Sequence, residues 1–258
     1  MNALTLEEAR IQCPSVFAKG PDNQVSDKYS FVSTENLITK FMNEGMTLHS
    51  VKTGNTKKSK DYMKHMVRLN LPEPLDASGQ EIPQILIVNS HNRSCGLTLQ
   101  LGIFRMVCSN GLIIADSTIS NFYQKHVQLD IDGAYTIMNQ AVSEFKNVFE
   151  KTQKYKETML STNQRQAFAN EALGMIYNER AGMYEVDQFT NARRIEDEAP
   201  TLWNTYNTFQ EIHIKGENTY ITKKGLKRSK VIKSIDSDLR SNMILWGLMD
   251  KYYQQLRG

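Results

Sequence analysis

The chain has 258 residues, 40% of them hydrophobic and 23% charged, and a formal net charge of +3. This is an ordinary globular composition, long enough for one large domain or two small ones, and the net charge is too small to name a partner. Three cysteines (Cys13, Cys95, Cys108) are too sparse for a disulfide framework or a zinc site and point to a reducing compartment. No apolar run approaches the ~18 residues of a spanning helix. Nor does the charged start, Leu6-Glu7-Glu8-Ala9-Arg10, resemble a secretory signal. A soluble, cytoplasmic protein with no membrane contact is expected.

Residues 1–28, broken by Pro14, Gly20 and Pro21, read as an N-terminal arm with at most one short helix. Ser33 stands as an N-cap, with Leu37, Ile38, Phe41 and Met42 on one helix face and Gly45 as the stop. Leu48 to Thr53 reads as a strand. Met63 to Leu71 alternates with period 2, and Lys64, Met66, Arg68 and Asn70 make one basic face. Ile85-Leu86-Ile87-Val88 is a continuous β-branched run suited to a strand covered on both sides. Leu97, Leu101, Phe104 and Val107 recur at helical spacing, so a buried helix ending at Asn110-Gly111 is favoured over a strand. Strands follow at 112–115 and 122–129.

Beyond Gly133 the period changes. Ile137, Ala141, Phe145, Val148 and Thr152 predict a helix of roughly 25 residues, and further helices are expected over 163–177, from Leu202, and over 239–256. The fold class is therefore α+β: an antiparallel sheet within residues 46–130 backed by long C-terminal helices. Residues 29–258 read as a single domain, helical from about 133, with a basic segment at 221–235.

Two basic clusters stand out. The first holds Lys52, Lys57, Lys58, Lys60, Lys64 and Arg68, with Tyr62 nearby; the second holds Lys223, Lys224, Lys227, Arg228, Lys230 and Lys233, with Tyr220. Lysine-rich loops beside aromatics can neutralise phosphates and stack on exposed bases; they can equally be solvated surface. Arg93 and Arg105 are further candidates. His91, in Asn89-Ser90-His91-Asn92-Arg93, has no second histidine or carboxylate at ligand spacing, and His65, His126 and His213 are as isolated. Asp132 and Asp130 suit the start of the long helix better than a shared acid pair. Phosphate-loop and serine-hydrolase signatures are missing. Trp203, Asn207 and Gln210/Glu211 share a helix face that reads equally as a recognition surface or as a buried polar network anchoring the helix to the sheet. No catalytic residue, metal site or cofactor is assigned.

Lys64-His65-Met66-Val67-Arg68, Ile87-Val88-Asn89-Ser90-His91-Asn92 and Gly102-Ile103-Phe104-Arg105-Met106-Val107-Cys108-Ser109-Asn110-Gly111-Leu112 resemble the phage/plasmid-like proteins of domain-of-unknown-function family 932. Leu202-Trp203, Asn207, Gln210-Glu211, Ile235-Asp236 and Asn242 through Trp246 resemble its C-terminal pattern, so the likeness runs from about Tyr29 to Trp246. The family usually has Asp after the histidine; Asn92 stands there in this chain, which argues against a carboxylate–histidine pair. The resemblance implies a protein of a bacteriophage or plasmid and hands over no established activity.

The leading expectation is a non-enzymatic DNA-binding protein of phage or plasmid DNA metabolism and recombination, similar to oligomeric single-strand annealing proteins. It would hold single-stranded DNA by its phosphates. A second reading is an interaction protein that inhibits a host defence or host complex. A third is a metal-dependent nuclease using His91, Asp116 or Asp130.

Overall fold

A computed structural model of the chain describes residues 3–54, 61–73, 79–106, 110–113, 122–127, 131–143 and 145–257. It divides into two compact units, Met1–Ile113 with Ser117–Phe145 and Lys146–Gly258 with Ile114–Asp116. The fold is α+β, with its sheet in the first half and most of its helices in the second.

In the N-terminal unit the arm carries a short helix, α1 (Leu6–Gln12), opened by a reciprocal Thr5–Glu8 capping box. A 3-10 turn (Pro14–Phe17) follows, and Ala9, Cys13, Val16 and Phe17 are buried. Leu4 N–H donates to the Leu48 carbonyl at 2.8 Å, tying this segment to the first strand. Helix α2 (Thr34–Asn43) begins where Ser33 predicts, the Ser33 hydroxyl accepting from Asn36 N–H, and buries Leu37, Ile38 and Phe41.

The sheet is antiparallel throughout. Its strands are β1 (Thr47–Thr53), β2 (His65–Asn70), β3 (Glu81–Asn89), β4 (Leu97–Arg105), β5 (Asn110–Ile113) and β6 (Phe122–Gln124), in the order β1-β2-β3-β4-β5 with β6 also paired to β4. Val67 faces Ile87, and Ile87 faces Leu99, so one line of branched side chains crosses the three inner strands.

Residues 97–105 are a strand, contrary to the helix expected from the spacing of Leu97, Leu101 and Phe104. The same segment also alternates: Leu97, Leu99, Leu101 and Ile103 are all fully buried. Pairing decides between the two periods. β3 lies along β4 from Glu81–Arg105 to Val88–Thr98, and β5 and β6 take the other edge, which satisfies backbone groups that a helix would have satisfied internally. At Asn110-Gly111 the chain enters β5 instead of ending a helix. The long helix expected after 133 is two helices, α3 (Ile131–Ser143) and α4 (Phe145–Glu157). Asp132 lies in the first turn of α3, as its charge favours.

The C-terminal unit contains α4, α5 (Thr162–Tyr177), α6 (Leu202–Lys215), the hairpin β7 (Thr219–Thr222) and β8 (Gly225–Arg228), and α7 (Ile235–Gln255). Helix α6 is buried at every position from Leu202 to His213. A helix surrounded on all sides must settle its polar groups internally. Asn204 donates to the Glu196 and Ala199 carbonyls, Thr205 to Thr201, and Asn207 to Trp203. Gln210 Nε2 donates to Asn242 Oδ1 on α7 at 2.7 Å, and Glu211 accepts from Arg194 and Lys215. Of the two readings of this face, the buried network is therefore the one found, and its anchor on the Gln210 side is α7. Phe168, Phe189, Phe209, Leu245 and Trp246 fill the core beside it, each large apolar side chain contributing about 1.5–3 kcal/mol.

Candidate nucleic-acid interface

The basic segment 221–235 folds as the β7–β8 hairpin followed by an extended run into α7. Thr219 pairs with Arg228 and Thr222 with Gly225, leaving Lys223-Lys224 at the tip. Lys223, Lys224, Lys227, Arg228, Lys230 and Lys233 are all exposed, and among the described residues none of them forms an ion pair.

The run after the hairpin is held against the end of α6. Ile232 N–H donates to Ile214 O at 2.9 Å, and Ser229 N–H donates to Asn218 O, whose side-chain amide in turn reaches Ile212 O. Gly216 ends α6 in the left-handed region (φ 63), and a Cβ there would stand 2.4 Å from the Lys230 carbonyl carbon. Only glycine permits both the turn and that approach.

Two adjoining cavities, about 360 and 270 Å³, open along this run and share Tyr177, Arg180, His213 and Ile232. Lys233, Ser234, Ser237, Arg240 and Ser241 line the first; Tyr184, Tyr220, Arg228, Ser229 and Lys230 line the second. Five cations thus border one groove with no carboxylate in its lining. The aromatic side is continuous: Tyr177 and Tyr184 have ring centroids 4.3 Å apart, and Tyr184 and Tyr220 5.3 Å. Tyr177 OH lies 2.7 Å from His213 Nδ1, and His213 Nε2 lies 2.8 Å from Ser241 Oγ. Burial pushes the Tyr177 hydroxyl pKa up and the His213 imidazole down to about 4, against a smaller upward pull from Asp238. Both groups are neutral at pH 7, so the groove's charge comes from lysine and arginine alone.

The other basic candidates lie in the N-terminal unit. Lys57, Lys58 and Lys60 fall outside the described residues. Lys52 on β1 and Lys64 beside β2 are half-buried, and neither is free of interactions. Arg68 is not on an exposed basic face: it is buried on an inner strand, donating to Gln84 Oε1 at 3.1 Å. Arg105 is buried as well, 4.0 Å from Glu81. Arg93 is exposed in the loop between β3 and β4, with φ 64.

The Asn89-Ser90-His91 motif is a buttress in the core. Asn89 Nδ2 donates to Thr34 Oγ1, which donates to His65 Nε2, while His65 Nδ1–H donates to Met63 O. Asn89 Oδ1 accepts from Ser90 N–H, and the Ser90 hydroxyl both accepts from and donates to the Cys95 backbone. The element joined to β3 in this way is a strand, not the expected helix. The histidines are not isolated from one another: the His65 and His91 rings lie 5.1 Å apart, and Phe31 packs on His91 at 4.9 Å. Burial, followed by repulsion within the cluster, lowers His65 to about 3 and His91 to about 4, and burial lowers His126 too. Asp116 and Asp130 lie outside the described residues, and among the described residues no group of three or more His, Cys, Asp or Glu could hold a metal ion.

Arg180, Arg240, Tyr177 and Tyr184 were not singled out by spacing, because each stands alone in a helix or turn. Only the folding of α5, the hairpin and α7 onto one groove brings them to the basic segment.

The model of the family described as "Domain of unknown function (DUF932)" matches residues 23–245, most of the chain. The chain belongs to the DUF932 family. This DUF932 protein is similar to two proteins of Escherichia coli (strain K12), UPF0380 protein YfjQ and UPF0380 protein YafZ. It is 29% identical to each over 261 aligned residues, covering 98% of this chain and 93% of the relative. No solved structure matches it significantly. Among the described residues, no helix is long and apolar enough to cross a membrane.

Proposed function

We propose that this DUF932 protein binds nucleic acid, single-stranded DNA foremost, in the groove between the β7–β8 hairpin and the start of α7. The observation that carries this reading is the convergence of Arg180, Arg228, Lys230, Lys233 and Arg240 on a wall of three tyrosines, with no acid in the lining. Phosphates release counterions at such cations, and bases stack on such rings. Lys223, Lys224 and Lys227 extend the charge along the hairpin. The role is strand holding in the DNA metabolism of a phage or plasmid, with no reaction of its own.

The test is fluorescence anisotropy with a labelled single-stranded oligonucleotide across a salt series. Binding should weaken steeply with salt. The Lys227→Glu/Arg228→Glu double variant should bind all sequences more weakly and lower the log–log salt slope by about 0.7 per lost phosphate contact. Salt-insensitive binding, or none, overturns the reading.

A second reading is favoured by one observation: Ile221, Leu226 and Val231 are 57%, 69% and 55% exposed on the same basic segment. An acidic protein surface with an apolar centre would fit it. Competition of that partner with DNA for the hairpin separates the two.

A further inference from the structure

A third cavity, about 340 Å³, lies in the N-terminal unit and uses none of the groove residues. It is bordered by the loop after the Asn89-Ser90-His91 motif on one side and by β6 and the residues after it on the other; Tyr29, Arg93, Cys95, Tyr123, Lys125 and His126 line it. Four of its features point to one kind of ligand.

The first is an unsatisfied acceptor. His126 is 5% exposed, and its Nδ1 faces the Ser30 carbonyl at 3.0 Å. A carbonyl can only accept, so Nδ1 carries the proton and Nε2 presents a bare lone pair. That Nε2 is buried and has no partner. Buried polar atoms in native proteins are paired; this one is closed off from the cavity as the ring stands, so a donor in the cavity reaches it only when the ring edge tilts outward.

The second is a flat aromatic surface. Tyr29 stacks on His126 with centroids 4.7 Å apart, and its hydroxyl is pinned by donation to Ser90 O at 2.7 Å. Tyr123 leaves 63% of its surface exposed at the rim. Gly96 allows this closure, since a Cβ there would stand 2.5 Å from Gln124 O and 3.0 Å from the Tyr123 ring.

The third is charge. Arg93 and Lys125 are both exposed cations at the cavity, no acid lines it, and neither forms an ion pair among the described residues.

The fourth is strain. Arg93 holds φ 64 in a loop closed by Ser94 N–H donating to Asn92 Oδ1 and Cys95 N–H to Ser90 Oγ. A long side chain in the left-handed region is uncommon and is kept where the surroundings over-determine it, often at ligand sites.

We propose that this cavity binds a nucleotide. Its base, bearing an N–H donor for His126 Nε2, lies against the tyrosines, and its phosphate lies at Arg93 and Lys125. The cavity is of the size that encloses such a ligand. The nucleotide can be free or a unit of a nucleic-acid chain.

Isothermal titration of the full chain with AMP, GMP, CMP, UMP and inorganic phosphate tests this, alongside a short oligonucleotide. Arg93→Gly is the key variant, because glycine accepts φ 64 freely and thermal melting should show the fold intact. His126→Phe removes the acceptor and keeps a ring. At least one mononucleotide should bind more tightly than inorganic phosphate, and Arg93→Gly and His126→Phe should each weaken it tenfold or more. Lys227→Glu/Arg228→Glu should leave it unchanged, which separates this site from the groove. If instead only the oligonucleotide binds, the proposal stands when binding that survives Lys227→Glu/Arg228→Glu is lost in Arg93→Gly, and the nucleotide is then part of a chain. Binding indifferent to Arg93→Gly, or no binding of either probe, overturns it.

Discussion

The imidazole of His213 and the hydroxyl of Ser241 stand 2.8 Å apart, joining α6 to α7 at the wall of the basic groove. The other ring nitrogen meets Tyr177 at the end of α5. One neutral side chain therefore ties three helices together. His213→Ala should break both bonds beneath the groove wall and cost about 1–3 kcal/mol, read from urea unfolding, and should weaken DNA binding through a loosened groove.

Acid should destabilise the protein before its carboxylates titrate. His65, His91 and His213 are held at about 3, 4 and 4, below the ordinary ~6.5 of an unfolded histidine. Between pH 6.5 and 4 the unfolded chain binds protons that the folded chain refuses. Stability is therefore full above pH 6.5 and falls as pH drops through that window. Near pH 5, unfolding should take up about three protons from these groups, measurable as the slope of unfolding free energy against pH. A flat profile from pH 7 to 5 would contradict the buried, neutral assignment.

The buried amide pair Gln210–Asn242 should behave as one unit. Asn242 also donates to the Asp238 backbone and carboxylate, so its orientation is fixed before Gln210 arrives. Gln210→Ala and Asn242→Ala should each destabilise by about 2–4 kcal/mol, and the double variant by less than their sum, with a coupling of about 1 kcal/mol. Strict additivity would mean that the pair contributes nothing.

Gly216→Ala tests whether the groove depends on a backbone approach. A methyl group at φ 63, 2.4 Å from the Lys230 carbonyl carbon, must displace residues 229–232. The expected result is a loss of more than about 1 kcal/mol, together with weaker DNA binding. Because Gly216 carries no charge, a binding loss without a change in salt slope would separate geometry from electrostatics.

Much of the local structure was legible. Ser33 as a cap, the period-2 run of β2, the apolar run of β3 and the helix expected over 163–177 are all read from neighbours within a few residues, where caps and side-chain periodicity operate. The basic segment was legible too, since its charges are contiguous. Residues 97–105 were not, because their apolar positions satisfy both a 2-residue and a 3.6-residue period.

By itself, the sequence determined the α+β order, the place of several helices and strands, and the family, since each is written in short-range patterns or in motifs such as Asn89-Ser90-His91. Tertiary structure alone decided that β4 is a strand, that Arg68 is buried against Gln84, and that Arg180 and Arg240 join the basic segment. The reason is range. A strand's partners, a side chain's burial and a groove's composition depend on which distant segments pack together, and no local spacing carries that information.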